Sequence, residues 1–469
     1  MRRFFTYPFY PKIEIFYPRF LKCCKIKKQA VKKPATSGRM SVLLCLFFVL
    51  STSFAQDNIS LKHWQTSKGA RVVFYEAHEV PMLDIIVAFK AGSAYDGEQH
   101  GLSALTASML NQGNGGFDAN AIAEKLADTG AQFSSDSNRD MVALSLRSLT
   151  EPPALEKALA TFALIINQPD FPKQAFVIEK NQQLMAIRQA EESPDEIANQ
   201  TFFKVLYGNH PYAHPVNGDA EHVSSLEVED IRQFYRQYFT ARNAVIVLAG
   251  AISEEKAHKI AEQLSKKLPQ GEPAAPIKKP QPLDEEMNIE VPFPSSQTII
   301  RLGQLGIDHH DPQYFPLLVG NYILGGGSLV SRLSEELREK RGLTYGVSSQ
   351  FVPMPGDGPF VIGLSTRREQ TAEAIEVTRD TLTSFVKTGP TQAELTAAKQ
   401  YLTGSFPLSL ASNRNIADML LKIAFYQLPD DYLAQYTARI DTVTLEEIKN
   451  AFQQKLHPDK LLQVTVGKK

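Results

Sequence analysis

Between residues 142 and 147 the apolar side chains Val142, Leu144 and Leu146 alternate with Ala143, Ser145 and Arg147, the period of a strand with one covered face. Apolar runs at 71–75 and 85–89 predict further strands, and helical periodicity at 153–167, 173–189 and 194–206 predicts long helices. The order returns downstream, where strands at 297–302, 346–351 and 360–365 precede helices at 369–387 and 392–405. Thr391 with Glu394, and Thr444 with Glu447, have the spacing of capping boxes. Strands followed by helices, twice over, predict an α+β fold: two related domains, each a mostly antiparallel sheet packed with helices.

A repeat sharpens that reading. Residues 230–250 correspond to 447–467 at a constant offset of 217, each copy an amphipathic helix, a short turn and a strand ending in Gly. Near Gly130 and Phe133 the offset to Gly342 and Tyr345 is 212, a nearby value that small insertions explain. Duplication of a domain of about 200 residues accounts for both. The stretch 270–285 carries four prolines and no periodic apolar face, so it is expected to link a first domain, 56–269, to a second, 286–469.

Composition changes the picture mainly at the amino end. The chain holds 50 Lys/Arg against 51 Asp/Glu; residues 1–55 contain 11 of the bases and one acid, so the remainder has 39 and 50, a net −11. That balance argues against a nucleic-acid surface, whose affinity comes from phosphate neutralisation. Basic residues 25–39, the apolar run 42–50 and Ser53-Phe54-Ala55 together resemble a secretory signal cleaved after Ala55, with an uncleaved anchor as the alternative. Met40, directly before the apolar run, is an alternative start. A periplasmic or otherwise exported protein is expected. All three cysteines, Cys23, Cys24 and Cys45, lie before the cleavage point, so the mature chain would fold without disulfides.

The segment from Phe89 through Asp96 and His100 to Leu110 resembles the signature region of the M16 zinc peptidases, the pitrilysin and processing-peptidase group. Where that family carries His-x-x-Glu-His, this chain has Ala104, Ala107 and Ser108. Side chains three and four apart share a helical face, which lets two imidazoles and a base serve one metal-bound water; methyls and a hydroxyl cannot. The downstream helix of the family carries two glutamates seven residues apart; Glu179 matches the first and Ala186 replaces the ligand. No catalytic zinc is expected in this chain. The stretch 206–212 and the carboxy-terminal signature, 325–345, extend the resemblance over nearly all of 56–469, with the LuxS/MPP-like metallohydrolase fold as its implication.

Arg341 and Tyr345 match the Arg/Tyr pair that active members present opposite the zinc, where a cation and a phenol can orient a peptide carbonyl. The equivalent first-half positions are Thr129 and Phe133, so the pair exists once. The resemblance therefore implies a non-catalytic subunit, inactive alone, whose partner is a zinc-site-containing M16 homologue and whose ligand is an extended peptide. Self-association into a homodimer in isolation is a further expectation. The alternative from another class is a peptide-binding, chaperone-like or assembly protein that kept the scaffold and lost catalysis; an independent hydrolase using a different site is a third reading.

Other candidates have plainer readings. Without the resemblance, Arg341 is a surface arginine, Tyr345 a strand residue at a sheet edge and Glu179 a helix-surface charge. His100, His210 and His214 invite a metal reading, but Pro211 and Pro215 disfavour a helical ligand face. Asp308-His309-His310-Asp311 is expected simply to face solvent. Gly113-Asn114-Gly115-Gly116 and Gly325 to Gly327 read as turns rather than phosphate cradles.

Overall fold

The computed structural model describes residues 61–467; the expected signal, its cleavage site and the three cysteines lie outside them. The first sheet contains β1 (Leu61–Gln65), β2 (Arg71–Glu76), β3 (Met82–Phe89), β4 (Gln132–Ser137), β5 (Val142–Leu149) and β6 (Ala244–Gly250), ordered β1-β2-β6-β3-β5-β4. The second contains β7 (Met287–Pro292), β8 (Gln297–Leu305), β9 (Thr344–Phe351), β10 (Pro359–Arg367) and β11 (Leu462–Gly467), ordered β9-β10-β8-β11-β7. Read in reverse, the second order superimposes on β2-β6-β3-β5-β4 of the first. In both sheets the late strand, β6 or β11, pairs parallel with β2 or β7 and antiparallel with β3 or β8, and the remaining pairings are antiparallel. The duplication is thus expressed in topology and pairing.

The principal helices are α1 (Leu102–Met109), α2 (Ala154–Asn167), α3 (Lys173–Glu191), α4 (Pro194–Tyr207), α5 (Ala220–Ser225) and α6 (Val228–Tyr238) in the first half, and α7 (Thr371–Thr388), α8 (Gln392–Ser405), α9 (Asn413–Phe425) and α10 (Leu445–Lys455) in the second. The capping boxes form at α8 and α10, and a third, Glu227 with Asp230, starts α6 at the repeat position of the one on α10. Among the described residues no helix is long and apolar enough to cross a membrane.

Strand alternation explains how the halves join. Val72, Phe74, Ile85, Val87, Ile246 and Leu248 face the first half's own helices. The intervening Val73, Ile86, Ala88, Val245 and Val247 join one core with Ala417, Leu420 and Leu421 of α9. Reciprocally, Ala198, Phe202 and Leu206 of α4 pack on Ile299, Val464 and Val466 of the second sheet. Each half lends one helix to the other's sheet, and the described residues form one compact unit. Polar contacts pin the exchange: Arg301 donates to Asn199 at 2.8 Å and to Asp195 at 2.6 Å, and Arg71 donates to the Ala424 carbonyl at 3.0 Å.

Residues 269–286 carry no helix or strand, yet they are fastened along their length. Ala274 N–H donates to Asn243, Tyr95 donates to the Ala275 carbonyl, and the His210 ring lies 2.8 Å from the Lys278 carbonyl.

Candidate functional site

Helix α1 begins at Gly101, whose positive φ turns the chain out of the preceding loop. Its Ala104 and Ser108 are half-buried on one face and Ala107 is buried. Ser108 returns its hydroxyl to the Leu105 carbonyl at 3.1 Å, and Ser135 of β4 donates to the Ala107 carbonyl at 3.0 Å. Across from this face, Glu179 of α3 is raised in pKa by burial, with hydrogen bonding from Ser108 pulling the other way. Glu179 is therefore a half-buried group at the vestigial site rather than a free surface charge. One carboxylate beside a hydroxyl and three methyls, Ala186 included, does not fit the donor set of a catalytic zinc.

The Arg/Tyr segment is built differently. Helical turns of the wide π type occupy Tyr322–Gly326 and Glu335–Glu339, on either side of Leu329 and Val330, which are exposed. Such turns are costly and concentrate at functional sites. Gly325 and Gly326 lie within the first of these helical segments, which corrects their reading as a turn. A Cβ on Gly325 would stand 2.4 Å from Ser349 Oγ, so the absent side chain lets the helix close onto β9. The expected turn does form at Gly115 and Gly116, both at positive φ between the paired Asn114 and Phe117.

After the second π turn the chain reverses at Gly342, φ +60°, the repeat position of Gly130, φ +67°. It then enters β9, an edge strand. Thr344 pairs with Thr366 but Val347 with Leu364, so β9 holds one extra residue at Tyr345-Gly346. Such a bulge re-aims a side chain, and Tyr345 is 87% exposed. Thr344 Oγ1 stabilises it by accepting the Gly346 N–H at 3.1 Å. The Arg338 guanidinium covers the Tyr345 ring at 5.2 Å. Arg341 donates to the Glu336 carbonyl at 2.8 Å and to its carboxylate at 2.6 Å, while Lys340 holds the same carboxylate. Hydrogen bonds from Lys340 and Arg341 keep the Glu336 carboxyl below its ordinary pKa. Neither Arg338 nor Glu336 stood out in the sequence; the signal available was their helical spacing from Arg341.

In the first half the equivalent positions are spent on packing. Thr129 is buried and caps the Leu126 carbonyl at 2.7 Å, and Phe133 packs edge-on against Phe162.

The histidines separate into two groups. His210 bonds to Lys278 and packs on Tyr212, away from any cluster. His100 and His214 stack at 4.2 Å, and the ring of His222, which sequence reasoning passed over, lies tilted against His100 at 4.3 Å. Burial lowers the His214 pKa to about 4. The 308–311 turn, expected to face solvent, is anchored instead: Asp308 pairs with Lys279, Asp311 with Lys455, and His309 stacks on Tyr426 at 3.6 Å. The aromatic partner of His309 comes from α9's end, 117 positions later, which no local pattern reveals.

Residues 71–220 match the family model described as Insulinase (Peptidase family M16), and residues 225–402 the one described as Peptidase M16 inactive domain. A Helicobacter pylori protein named Non-peptidase homolog YmxG is 26% identical over 88% of this chain and 94% of its own length. A Bacillus subtilis protein named Uncharacterized zinc protease YmxG is 27% identical over 76% of this chain and 86% of its own. Among solved structures, a peptidase M16 inactive domain from Pseudomonas fluorescens aligns with TM-score 0.85 and 40% identity, covering 87% of this chain and 98% of that one. A protease from Helicobacter pylori aligns at 0.81 with 18% identity, which speaks to the fold alone.

Proposed function

Because the chain belongs to the M16 peptidase family and lacks its catalytic ligands, we propose that it is the zinc-free subunit of a two-chain M16 peptidase, working after export. The carrying observation is an asymmetry between repeats. One half has lost the family's zinc ligands and its catalytic base, while the other presents Tyr345 from a bulged edge strand four residues after Arg341. Tyr345, Ser348 and Gln350 form an exposed side of β9 along which an extended peptide would lie, its backbone matched by strand-like hydrogen bonding. Arg341 and Tyr345 would orient the carbonyl near the scissile bond, and a zinc-containing M16 partner would supply the hydrolytic water.

The test is reconstitution with a zinc-site-containing M16 homologue from the same genome and an unstructured peptide. The mixture should hydrolyse peptide faster than the partner alone, and Arg341→Ala or Tyr345→Phe should each lower kcat/KM about tenfold, near 1.4 kcal/mol. Full activity in both variants would sink the assigned roles.

The second reading, a peptide-binding or assembly protein without catalysis, is favoured by the printed name of the Helicobacter pylori relative. Peptide binding by the isolated chain, with no stimulation of any partner, would select it.

A further inference from the structure

At the amino end of α1 lies a cluster that the Arg/Tyr chemistry does not use. Gly101 and Gly218, at φ +91° and +69°, let two loops touch: a Cβ on Gly218 would meet the His100 carbonyl oxygen at 2.3 Å, and one on Gly101 the Asn217 carbonyl oxygen at 2.6 Å. This close pass sets His100 beside Asp219. Gln183 of α3 ties the same two loops, donating to the Gly101 carbonyl at 3.0 Å and the Asn217 carbonyl at 2.9 Å.

Asp219 is fixed in turn. Its carboxylate accepts the His222 main-chain N–H at 3.0 Å, which winds the first turn of α5 and returns the His222 ring to the same carboxylate, Nδ1 lying 2.8 and 2.7 Å from its two oxygens. His100 Nδ1 lies 3.4 Å from Asp219 Oδ2. His100 stacks on His214 and meets the His222 ring at a 35° tilt, so its ring plane is held from two sides. One donor atom from each of His100, Asp219 and His222 falls within a mutual 4.8 Å.

We propose that His100, Asp219 and His222 form a binding site for a divalent transition-metal ion of the zinc class, separate from the vestigial catalytic position, with His214 as the ring that packs His100 in place. Two imidazole nitrogens and one carboxylate oxygen are borderline donors that suit zinc and disfavour calcium or magnesium, which take oxygen shells. Ligand atoms about 2.0–2.2 Å from one tetrahedral ion stand roughly 3.3 Å apart, so the present nitrogen–oxygen separations need only small outward shifts. All three side chains are partly exposed, which gives an ion a way in and leaves a fourth position to solvent. The bound ion would staple segment 217–222 to the start of α1.

The sequence hid this set because His100 and Asp219 are 119 positions apart. The one local signal was Asp219 three residues before His222, a cap whose side chain can also meet the next turn.

The experiment uses the full chain, stripped with chelator and titrated with Zn²⁺ followed calorimetrically, and with Co²⁺ followed by its visible absorption. We expect saturable zinc binding, a Co²⁺ spectrum of nitrogen and oxygen ligation, and a rise in Tm because the ion binds only the folded form. One equivalent should disappear in His222→Gln and in His100→Gln, and remain in His78→Gln, which removes another exposed His–carboxylate pair. Circular dichroism of the metal-free variants establishes that they fold; Gln at 222 keeps an amide that can still meet Asp219. Unchanged zinc stoichiometry in both folded variants, absence of saturable binding, or an equal response to Ca²⁺ would overturn the assignment. Because the readout is metal binding by this chain alone, its failure leaves the peptidase-subunit proposal standing, and the reverse holds too.

Discussion

The Tyr426 hydroxyl, from the second half, donates to the Asp140 carboxylate of the first at 2.9 Å. The other carboxylate oxygen accepts from Tyr212 at 3.0 Å, and the Tyr426 ring stacks on His309. A fully buried acid thus joins the two repeats at the β4–β5 turn. Burial lifts its pKa to about 6, although both phenols and Arg139 pull the other way.

The consequence is a pH dependence of stability with a defined sign. The unfolded chain releases this proton near pH ~3.9, so between there and about 6 the native state binds more protons. The contribution, about 2–3 kcal/mol, is fully present below the unfolded value and is lost as pH rises through about 6. Asp140→Asn, neutral at every pH, should remove this component. Urea unfolding from pH 4 to 8 measures it; an unchanged slope in the variant would rule out Asp140 as its source.

The exchanged helices make a second expectation. Phe202 of α4 and Leu420 of α9 are buried in the sheet of the opposite half. Truncation to Ala should cost about 3–5 kcal/mol for Phe202 and 2–5 for Leu420. Trp64, the single tryptophan, stacks on His258 within the first half and reports that half's unfolding. In Leu420→Ala, a second-half substitution, the Trp64 fluorescence midpoint should fall together with the circular dichroism midpoint. Separate transitions would show that the halves unfold independently.

Local periodicity made most strands and helices legible, and the repeat offset made their arrangement legible as well: α2 and α7 begin 217 positions apart, as do β6 and β11 one residue further in. The helix at 194–207 was visible, but a helical pattern names the face to be buried and not the sheet that buries it, so the exchange with α9 was hidden. Arg341 and Tyr345 were found through a contiguous motif. Their supports were not, since Glu336 and Arg338 look like ordinary helix charges until the π turn aims them. His309 was misread because its partner, Tyr426, is distant in sequence. Strand β1, short and polar, gave too few apolar positions to count.

Glu336 should matter more for peptide handling than for stability. It grips Arg341 through both its carbonyl and its carboxylate, and the pair is partly exposed, where such contacts contribute about 0–1 kcal/mol. Glu336→Gln removes the charge and frees Arg341 to reorient. In the reconstituted mixture kcat/KM should fall several-fold while Tm stays within a degree or two. A large Tm loss with unchanged kinetics would assign Glu336 to folding instead.

Glu394 should act on stability in the direction opposite to Asp140. Arg332, in the carboxy-terminal signature, donates to its two oxygens at 2.6 and 2.7 Å, and the same carboxylate accepts the Thr391 N–H that caps α8. Burial raises its pKa, but the Arg332 and Thr391 hydrogen bonds dominate and bring it to about 2. A depressed native pKa gives stabilisation that is present above the unfolded value and lost as pH falls through about 2. Discounted for solvent screening, its size is about 1–2 kcal/mol. Glu394→Gln should therefore destabilise at pH 7 and flatten the acid limb below pH ~4, where Asp140 is already protonated and contributes no further slope. Arg332→Ala should lower stability at pH 7 while keeping the α8 cap, so helix content stays constant. If the acid limb is unchanged in Glu394→Gln, the Arg332 contact does not carry the coupling between the signature segment and α8.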